Sequence, residues 1–371
     1  MLHRRALLTS ATGGAILTGL GQAERLVLAL APANKEEVPW LAEIQTPPAK
    51  LPLDAPRLKP LCRRPDGKAI TTREDWLPRK ADLLAQWSEL LGPMPAERKE
   101  APKLEVIEED RPEGVIRQLV RYEVEPGLVT EAYLCKPAKA AGRVPGVVAF
   151  HSTVNESIRQ PAGVEGLPEK AFGLKFARQG RVVICPRNYL WPDNTHISAG
   201  PEAERFLKRH PKTKGMGKML HDGLVAVDIL AALPEVDPTR LGAVGHSLGA
   251  KEVLYLAAFD ERIKVTVSSE GGIGTKFSNW DAPWYLGETI QGKDFKLEHH
   301  ELLGLIAPRP FLLIGGESAD GDRGWPFIAE ALSVYELFGP PCRIGQYNHR
   351  QGHAVPPEAE KRIEAWFAAY L

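Results

Sequence analysis

Thr239-Arg-Leu-Gly-Ala-Val-Gly-His-Ser-Leu-Gly-Ala-Lys-Glu-Val-Leu-Tyr-Leu-Ala-Ala258 reads as a strand, a sharp turn and a helix. Residues 239–245 form a short apolar strand pattern, and residues 250–258 are good helix formers. Between them, Gly245-His246-Ser247-Leu248-Gly249 is a G-x-S-x-G motif. Such a turn holds a serine hydroxyl up at the end of a parallel sheet. Glycines flank the serine because a Cβ at either place would crowd the strained turn. The reading that competes is a Gly-rich strand-to-helix turn in another α/β protein. The residues around the motif decide between the two.

Downstream, strands and helices alternate. Strand patterns at residues 263–268, 310–314 and 342–347 are interleaved with helix patterns at 326–337 and near the C-terminus. There Ile363, Trp366, Phe367 and Tyr370 share one face. Upstream lie a strand over 144–151, a helix over 172–179, a strand over 181–185 and a helix over 220–233. Three further strands, at 103–109, 115–124 and 130–135, read as an antiparallel lead-in. The pattern predicts an α/β fold, a mostly parallel doubly wound sheet with antiparallel lead-in strands and an N-terminal helical arm. Three segments are expected: an export signal over 1–31, an arm and helix over 32–102, and a catalytic domain over 103–371. The helix over 72–91 starts at a capping-box pattern, Thr71-x-x-Glu74. It carries an apolar stripe of Leu83, Leu84, Trp87, Leu90 and Leu91, and it stops at Gly92-Pro93.

Composition narrows the classes. Lys plus Arg and Asp plus Glu each number 47 in 371 residues, so no bulk field draws the chain to nucleic acid or an anionic membrane. Arg4-Arg5 precede a short stretch rich in small and apolar residues, which resembles a twin-arginine export signal. Gly21-Gln-Ala23 and Ala29-Leu-Ala31 both offer cleavage sites. The mature chain is expected in a bacterial periplasm or outside the cell, with no stable membrane span. Cys62, Cys135, Cys185 and Cys342 have no metal-type spacing, and no disulfide framework is expected. There is no G-x-G-x-x-G opening a dinucleotide unit and no P-loop, so no cofactor or metal is called for.

Serine is a weak nucleophile at neutral pH and needs a base, which in turn needs an orienting acid. In this strand–turn–helix architecture the chain order is Ser, acid, His. Only His299, His300, His349 and His353 follow Ser247. His353 lies after the last strand and before the terminal helix, where a loop faces the strand ends, and is the expected base. His349 reads as a hydrogen-bonding residue, and His299 and His300 as a packing pair. Asp320, in Gly315-Gly-Glu-Ser-Ala-Asp-Gly-Asp322, is the expected acid. Glu317 and Asp322 are its neighbours, and Glu270 is the alternative or second acid. The backbone N–H groups of Leu248 and Thr153 are expected to hold the oxyanion. Two long irregular segments, 187–218 and 271–308, follow strand ends and carry Trp191, Trp280, Trp284 and Tyr285. These are substrate-loop candidates, although packing onto the body is the better explanation for any one of them alone.

Together these residues resemble the α/β-hydrolase superfamily over roughly 104–371, and within it the dienelactone-hydrolase-like and acetyl-xylan-esterase-like branch. The resemblance rests on residues 147–153, on Gly245–Ala250, on Ile306-Ala-Pro-Arg-Pro310 and on Gly352-His353. Dienelactone hydrolase itself uses a cysteine nucleophile, where this chain has Ser247. A second likeness is to glucuronoyl esterases, in which Lys follows the nucleophile by four residues, as Lys251 does here. A Phe-Asp-x-Arg-Ile segment then leads to a Glu, matched by Phe259–Ile263 and Glu270. Those enzymes place Arg directly after the serine, and here that position is Leu248. The resemblance implies a serine carboxylic-ester hydrolase acting on a small-molecule or carbohydrate-linked ester. Glucuronoyl-ester and peptidase chemistry are the alternatives within the hydrolases. A non-catalytic binding protein on a hydrolase scaffold is the alternative of another class.

Overall fold

The computed structural model describes residues 37–371 apart from Pro65, Asn194 and Thr195. The expected export signal over 1–31 lies outside the described residues. The described residues open with a single helical turn, α1 (Leu41–Ile44), and a long helix, α2 (Arg73–Leu91). Strands β1 (Glu105–Asp110), β2 (Val115–Glu125) and β3 (Leu128–Pro137) come next. Then follow β4 (Val144–Phe150), α3 (Phe172–Arg178), β5 (Val182–Pro186), α4 (Ala199–Arg209) and α5 (Gly215–Ala232). The motif elements are β6 (Val236–His246) and α6 (Leu248–Phe259). The chain closes with β7 (Ile263–Ser269), α7 (His300–Ile306), β8 (Phe311–Gly315), α8 (Trp325–Glu336), β9 (Ile344–Asn348) and α9 (Pro357–Tyr370).

The nine strands of the described residues join one sheet, in the order β1-β2-β3-β5-β4-β6-β7-β8-β9. The pairs from β1 to β5 are antiparallel, and those from β5 through β4 to β9 are parallel. The lead-in is therefore antiparallel and the body parallel, as the strand pattern predicts. At the β1 edge, Glu105, Glu108, Glu109 and Asp110 discourage pairing with another chain.

Parallel strands are covered on both faces, and alternate side chains feed two cores. Val148, Ala243 and Leu313 point to the side packed by α2, α5, α6, α7 and α8. Val147, Val244 and Leu312 point to the side packed by α1, α3 and α9. The terminal helix buries Ile363, Trp366 and Phe367 there.

Helix α2 docks on the body through Trp76, Leu83, Trp87 and Leu91, all fully buried. Burying one such side chain contributes about 1.5–3 kcal/mol. Its cap is Thr72 rather than Thr71: the Thr72 hydroxyl accepts from the Asp75 N–H at 3.1 Å. Leu84, placed on the apolar stripe by spacing, lies on the exposed side. Helix α4, inside a segment that reads as irregular, buries only Ala203 and Phe206. Two buried positions make too thin a stripe to stand out in sequence.

Candidate active site

The site assembles where β4, β6, β7, β8 and β9 end. Between β6 and α6, Ser247 adopts φ 60° and ψ −116°. A non-glycine residue held there stores about 1–3 kcal/mol, and the surroundings must impose it. They do so by close approach. A Cβ on Gly245 would lie 2.2 Å from the backbone of Gly249, and one on Gly249 would lie 2.7 Å from the Phe150 oxygen. The Ser247 N–H donates to Ser269 O at 2.8 Å, and its carbonyl accepts from the Ala250 N–H at 3.1 Å. The serine is partly exposed at the strand end.

Leu248 opens the twelve-residue helix α6, where first-turn N–H groups lack intrahelical acceptors. Across from it, Thr153 is exposed in the turn after β4. That turn is braced from behind. His151 is buried, with Nδ1 at 2.8 Å from Ser152 O and Nε2 accepting from the Asn188 N–H at 3.2 Å. These partners specify the tautomer protonated at Nδ1. Burial draws the His151 imidazole down to about 4, which keeps it neutral. Ser152 N–H donates to Gln160 Oε1 at 3.0 Å, and Trp191 Nε1 donates to Val154 O at 2.9 Å.

His353 lies 3.1 Å through Nδ1 from Glu270 Oε2, with its side chain 41% exposed against 0% for Glu270. Glu270 immediately follows β7 and takes φ 55°, a second left-handed residue. Its Oε2 accepts from the Ala319 N–H at 2.7 Å and its Oε1 from the Gly316 N–H. A carboxylate so held presents one oxygen edge to imidazole and leaves His353 Nε2 free for proton transfer. The His246 ring packs at 4.7 Å on the His353 ring. This contact brings His353 against the residue that precedes Ser247. His246 Nδ1 lies 3.0 Å from the Ser269 hydroxyl. Burial, then the charges of Lys170 and His353, hold the His246 imidazole well below its ordinary range.

Asp320, expected as the acid, does not contact His353. Its two oxygens accept from the N–H groups of Gly272 at 2.8 Å and Ile273 at 2.6 Å, and it is fully buried. The β8 loop turns Asp320 toward the 271–273 turn. The Gly316 and Ala319 amides of the same loop grip Glu270 instead. Burial pushes the Asp320 carboxyl up to about 6. Of its neighbours, Glu317 and Asp322 pair with Arg350.

The remaining candidates sort by burial. His349 Nδ1 accepts from the Gln351 N–H at 3.1 Å, and the His349 backbone N–H donates to Gly315 O at 2.8 Å. His299 is buried between Tyr255 and Ile273, and His300 bonds Lys59 O. Trp191, Trp280 and Tyr285 are buried, and Trp284 is half-buried. Trp280 donates to Gly272 O at 2.7 Å, so it braces the 271–287 loop rather than offering a face. Beneath it lies Lys251, one turn below Ser247, with Nζ 3.9 Å from the Trp280 ring centre. Burial draws this ammonium down to about 7, against the pull of Asp320. Sequence reasoning missed His246 and His151. The first was visible as the x of the motif, while the second becomes informative only once Asn188 is beside it. No cluster able to hold a metal exists among the described residues.

Comparison with known proteins bears on the fold and the family. A model of the dienelactone hydrolase family matches residues 130–284. A Bacillus subtilis protein bearing the name hydrolase YtaP is 29% identical over 250 residues, spanning 64% of this chain and 80% of its own. A 4-O-methyl-glucuronoyl methylesterase of Phanerochaete carnosa is 25% identical over 181 residues, 39% of this chain and 43% of its own. Among solved structures, a glucuronoyl esterase from Solibacter usitatus superposes with a TM-score of 0.68 at 18% identity, covering 86% of this chain and 99% of its own. An acetyl xylan esterase fold from Bacteroides fragilis gives 0.58 at 15% identity, over 80% and 86%. Residues 130–284 carry a dienelactone hydrolase family domain, and with the sheet order and the strained serine turn this makes the protein a hydrolase with an α/β-hydrolase fold.

Proposed function

We propose that the chain is a serine carboxylic-ester hydrolase acting on carbohydrate-linked acyl esters, with Ser247, His353 and Glu270 as its triad. The observation that carries this reading is the His353–Glu270 contact at 3.1 Å beside the strained Ser247 turn. Ser247 Oγ attacks the acyl carbon as His353 Nε2 takes its proton. Glu270 holds the Nδ1–H and stabilises the imidazolium. The N–H groups of Leu248 and Thr153 receive the oxyanion. The alkoxide leaves with the proton from His353, and water, activated by the same imidazole, releases the acid from the acyl-enzyme.

The names of its relatives, which include glucuronoyl and acetyl xylan esterases, support a carbohydrate ester as substrate. Export through the twin-arginine-like N-terminus fits that substrate class. Among the described residues no helix is long and apolar enough to cross a membrane. A second reading, hydrolysis of glucuronoyl esters, is favoured by the acid standing at Glu270, the position matched to those enzymes. Leu248 in place of their Arg weighs against it.

The test is labelling by a fluorophosphonate probe together with turnover of p-nitrophenyl acetate, acetylated xylo-oligosaccharides and a glucuronoyl ester. Ser247→Ala is expected to abolish labelling and to lower turnover by about 10⁴-fold or more while the fold persists. A folded S247A protein that keeps most of its activity would overturn the mechanism.

A further inference from the structure

A cavity of about 520 Å³ opens on the same edge of the sheet as Ser247. It lies over the ends of β3 and β5, between the β2–β3 hairpin, α4 and the start of α5. The order β6-β4-β5-β3 places it two to three strands from the serine. At about 4.8 Å per strand this is roughly 10–15 Å, the span of a short oligosaccharide. Trp191 is the shared wall. It lines the cavity, and its ring stands edge-on to His151 at 4.5 Å behind the Thr153 turn.

The cavity floor is polar and buried. Lys218, 1% exposed, gives one N–H to Asp222 Oδ1 at 2.7 Å and lies 2.6 Å from Glu125 Oε1. An ammonium has three hydrogens, so one remains for a ligand. Asp222 Oδ2 has no hydrogen-bond partner among the described residues, and burial pushes this carboxyl up. A donor and an acceptor are thus presented side by side, and a hydroxyl, which both donates and accepts, satisfies the two together. Above the floor, Tyr189, Trp191 and Phe206 supply aromatic walls.

Charge argues for a neutral ligand. Arg121 and Arg187 both pair with Glu131, at 3.1 Å and 2.5 Å, and Arg205 pairs with Glu202. Five cationic and four anionic side chains line the cavity, so it carries no strong field of either sign. A phosphate or uronate would gain little there.

We infer that this cavity is a subsite for a neutral glycosyl unit of the substrate, remote from the ester being cut. The placement rests on the carbohydrate-ester reading, whereas the hydroxyl-matched floor stands independently of it. Binding there holds a polysaccharide ester across the Trp191 wall. A small ester without a sugar chain does not reach it.

The test uses Val129→Trp, an exposed strand substitution that fills the cavity mouth without touching either core. Unesterified xylotriose and cellotriose, and trigalacturonate as the anionic control, are titrated by NMR into wild type and variant. Wild type is expected to bind a neutral trisaccharide saturably and more tightly than trigalacturonate, with binding about tenfold weaker in V129W. In V129W, KM for an acetylated xylo-oligosaccharide rises about tenfold with kcat unchanged, while p-nitrophenyl acetate turnover stays at the wild-type level. Equal binding by both proteins, no binding of either neutral sugar, or preference for trigalacturonate would overturn the subsite. Loss of p-nitrophenyl acetate turnover in wild type itself would sink the esterase reading, and the sugar titration would still judge the cavity.

Discussion

Glu270 and Asp320 sit at the ends of neighbouring strands, β7 and β8, and both are buried carboxylates gripped by two backbone N–H groups. Only Glu270 touches His353. The two have exchanged loops: the β8 loop donates its amides to Glu270, and the β7 loop donates its amides to Asp320. The difference lies in the backbone. At φ 55° Glu270 turns under the His353 loop, whereas Asp320 points back into the 271–273 turn. One carboxylate therefore faces His353, and the other holds together the segment that follows the first. Chemical identity and position in the chain did not separate them.

The largest effect is expected at the first carboxylate. Glu270→Gln keeps the shape but loses the charge that orients His353, and kcat/KM should fall by about 10⁴-fold near neutral pH. Asp320→Asn should cost about tenfold or less in rate. A reversed ranking returns the acid role to Asp320.

A smaller loss should follow from the hinge between the two regions. The Gly316 N–H serves Glu270, and its carbonyl accepts from the Gly352 N–H at 2.7 Å, next to His353. A Cβ on Gly316 would lie 1.9 Å from Gly352 O and 2.4 Å from His349 Cε1. Gly316→Ala should displace His353 from Glu270 and lower kcat by about 10²-fold. Full activity in G316A would mean that the two loops move independently.

Asp320→Asn should be read mainly as stability. An amide can accept from only one of the two N–H groups, and the orphaned one costs about 1–3 kcal/mol. Because burial raises the Asp320 carboxyl to about 6, the folded protein holds its proton more tightly than the unfolded chain. The wild-type advantage over D320N should therefore shrink as pH rises from about 4 to about 6 and level off above. Urea unfolding at pH 4.5 and pH 7.5 measures this. An advantage that grows over that interval would place a favourable charge partner at Asp320.

The smallest effect is expected at Lys251. Its ammonium is drawn down to about 7, below the unfolded value of about 10.4. Deprotonation then favours the folded state, so wild-type stability relative to Lys251→Met should rise between about pH 7 and pH 10. A flat difference would mean that the buried ammonium keeps its proton through a partner such as Asp320.

What could be read from the chain was whatever short-range sterics and periodicity impose. The Gly245–Gly249 turn is one such case, because its glycines answer contacts within five residues and with the adjacent strand. The two-faced strands were legible for the same reason, since alternate residues must meet two cores. Helix α4 was not, because two buried residues leave no periodic trace. The cap at Thr72 was missed by one position, since neighbouring threonines offer the same chemistry.

The amino-acid sequence by itself determined the fold, the candidate nucleophile and the short list of bases and acids. These depend on local spacing and on the order of elements along the chain. Tertiary structure decided which carboxylate meets His353, which aromatics are buried, and that a polar cavity opens on the sheet edge that carries Ser247. Each of those outcomes turns on contacts between loops far apart in sequence. There a left-handed residue or a single amide changes the direction of a side chain and leaves its identity untouched.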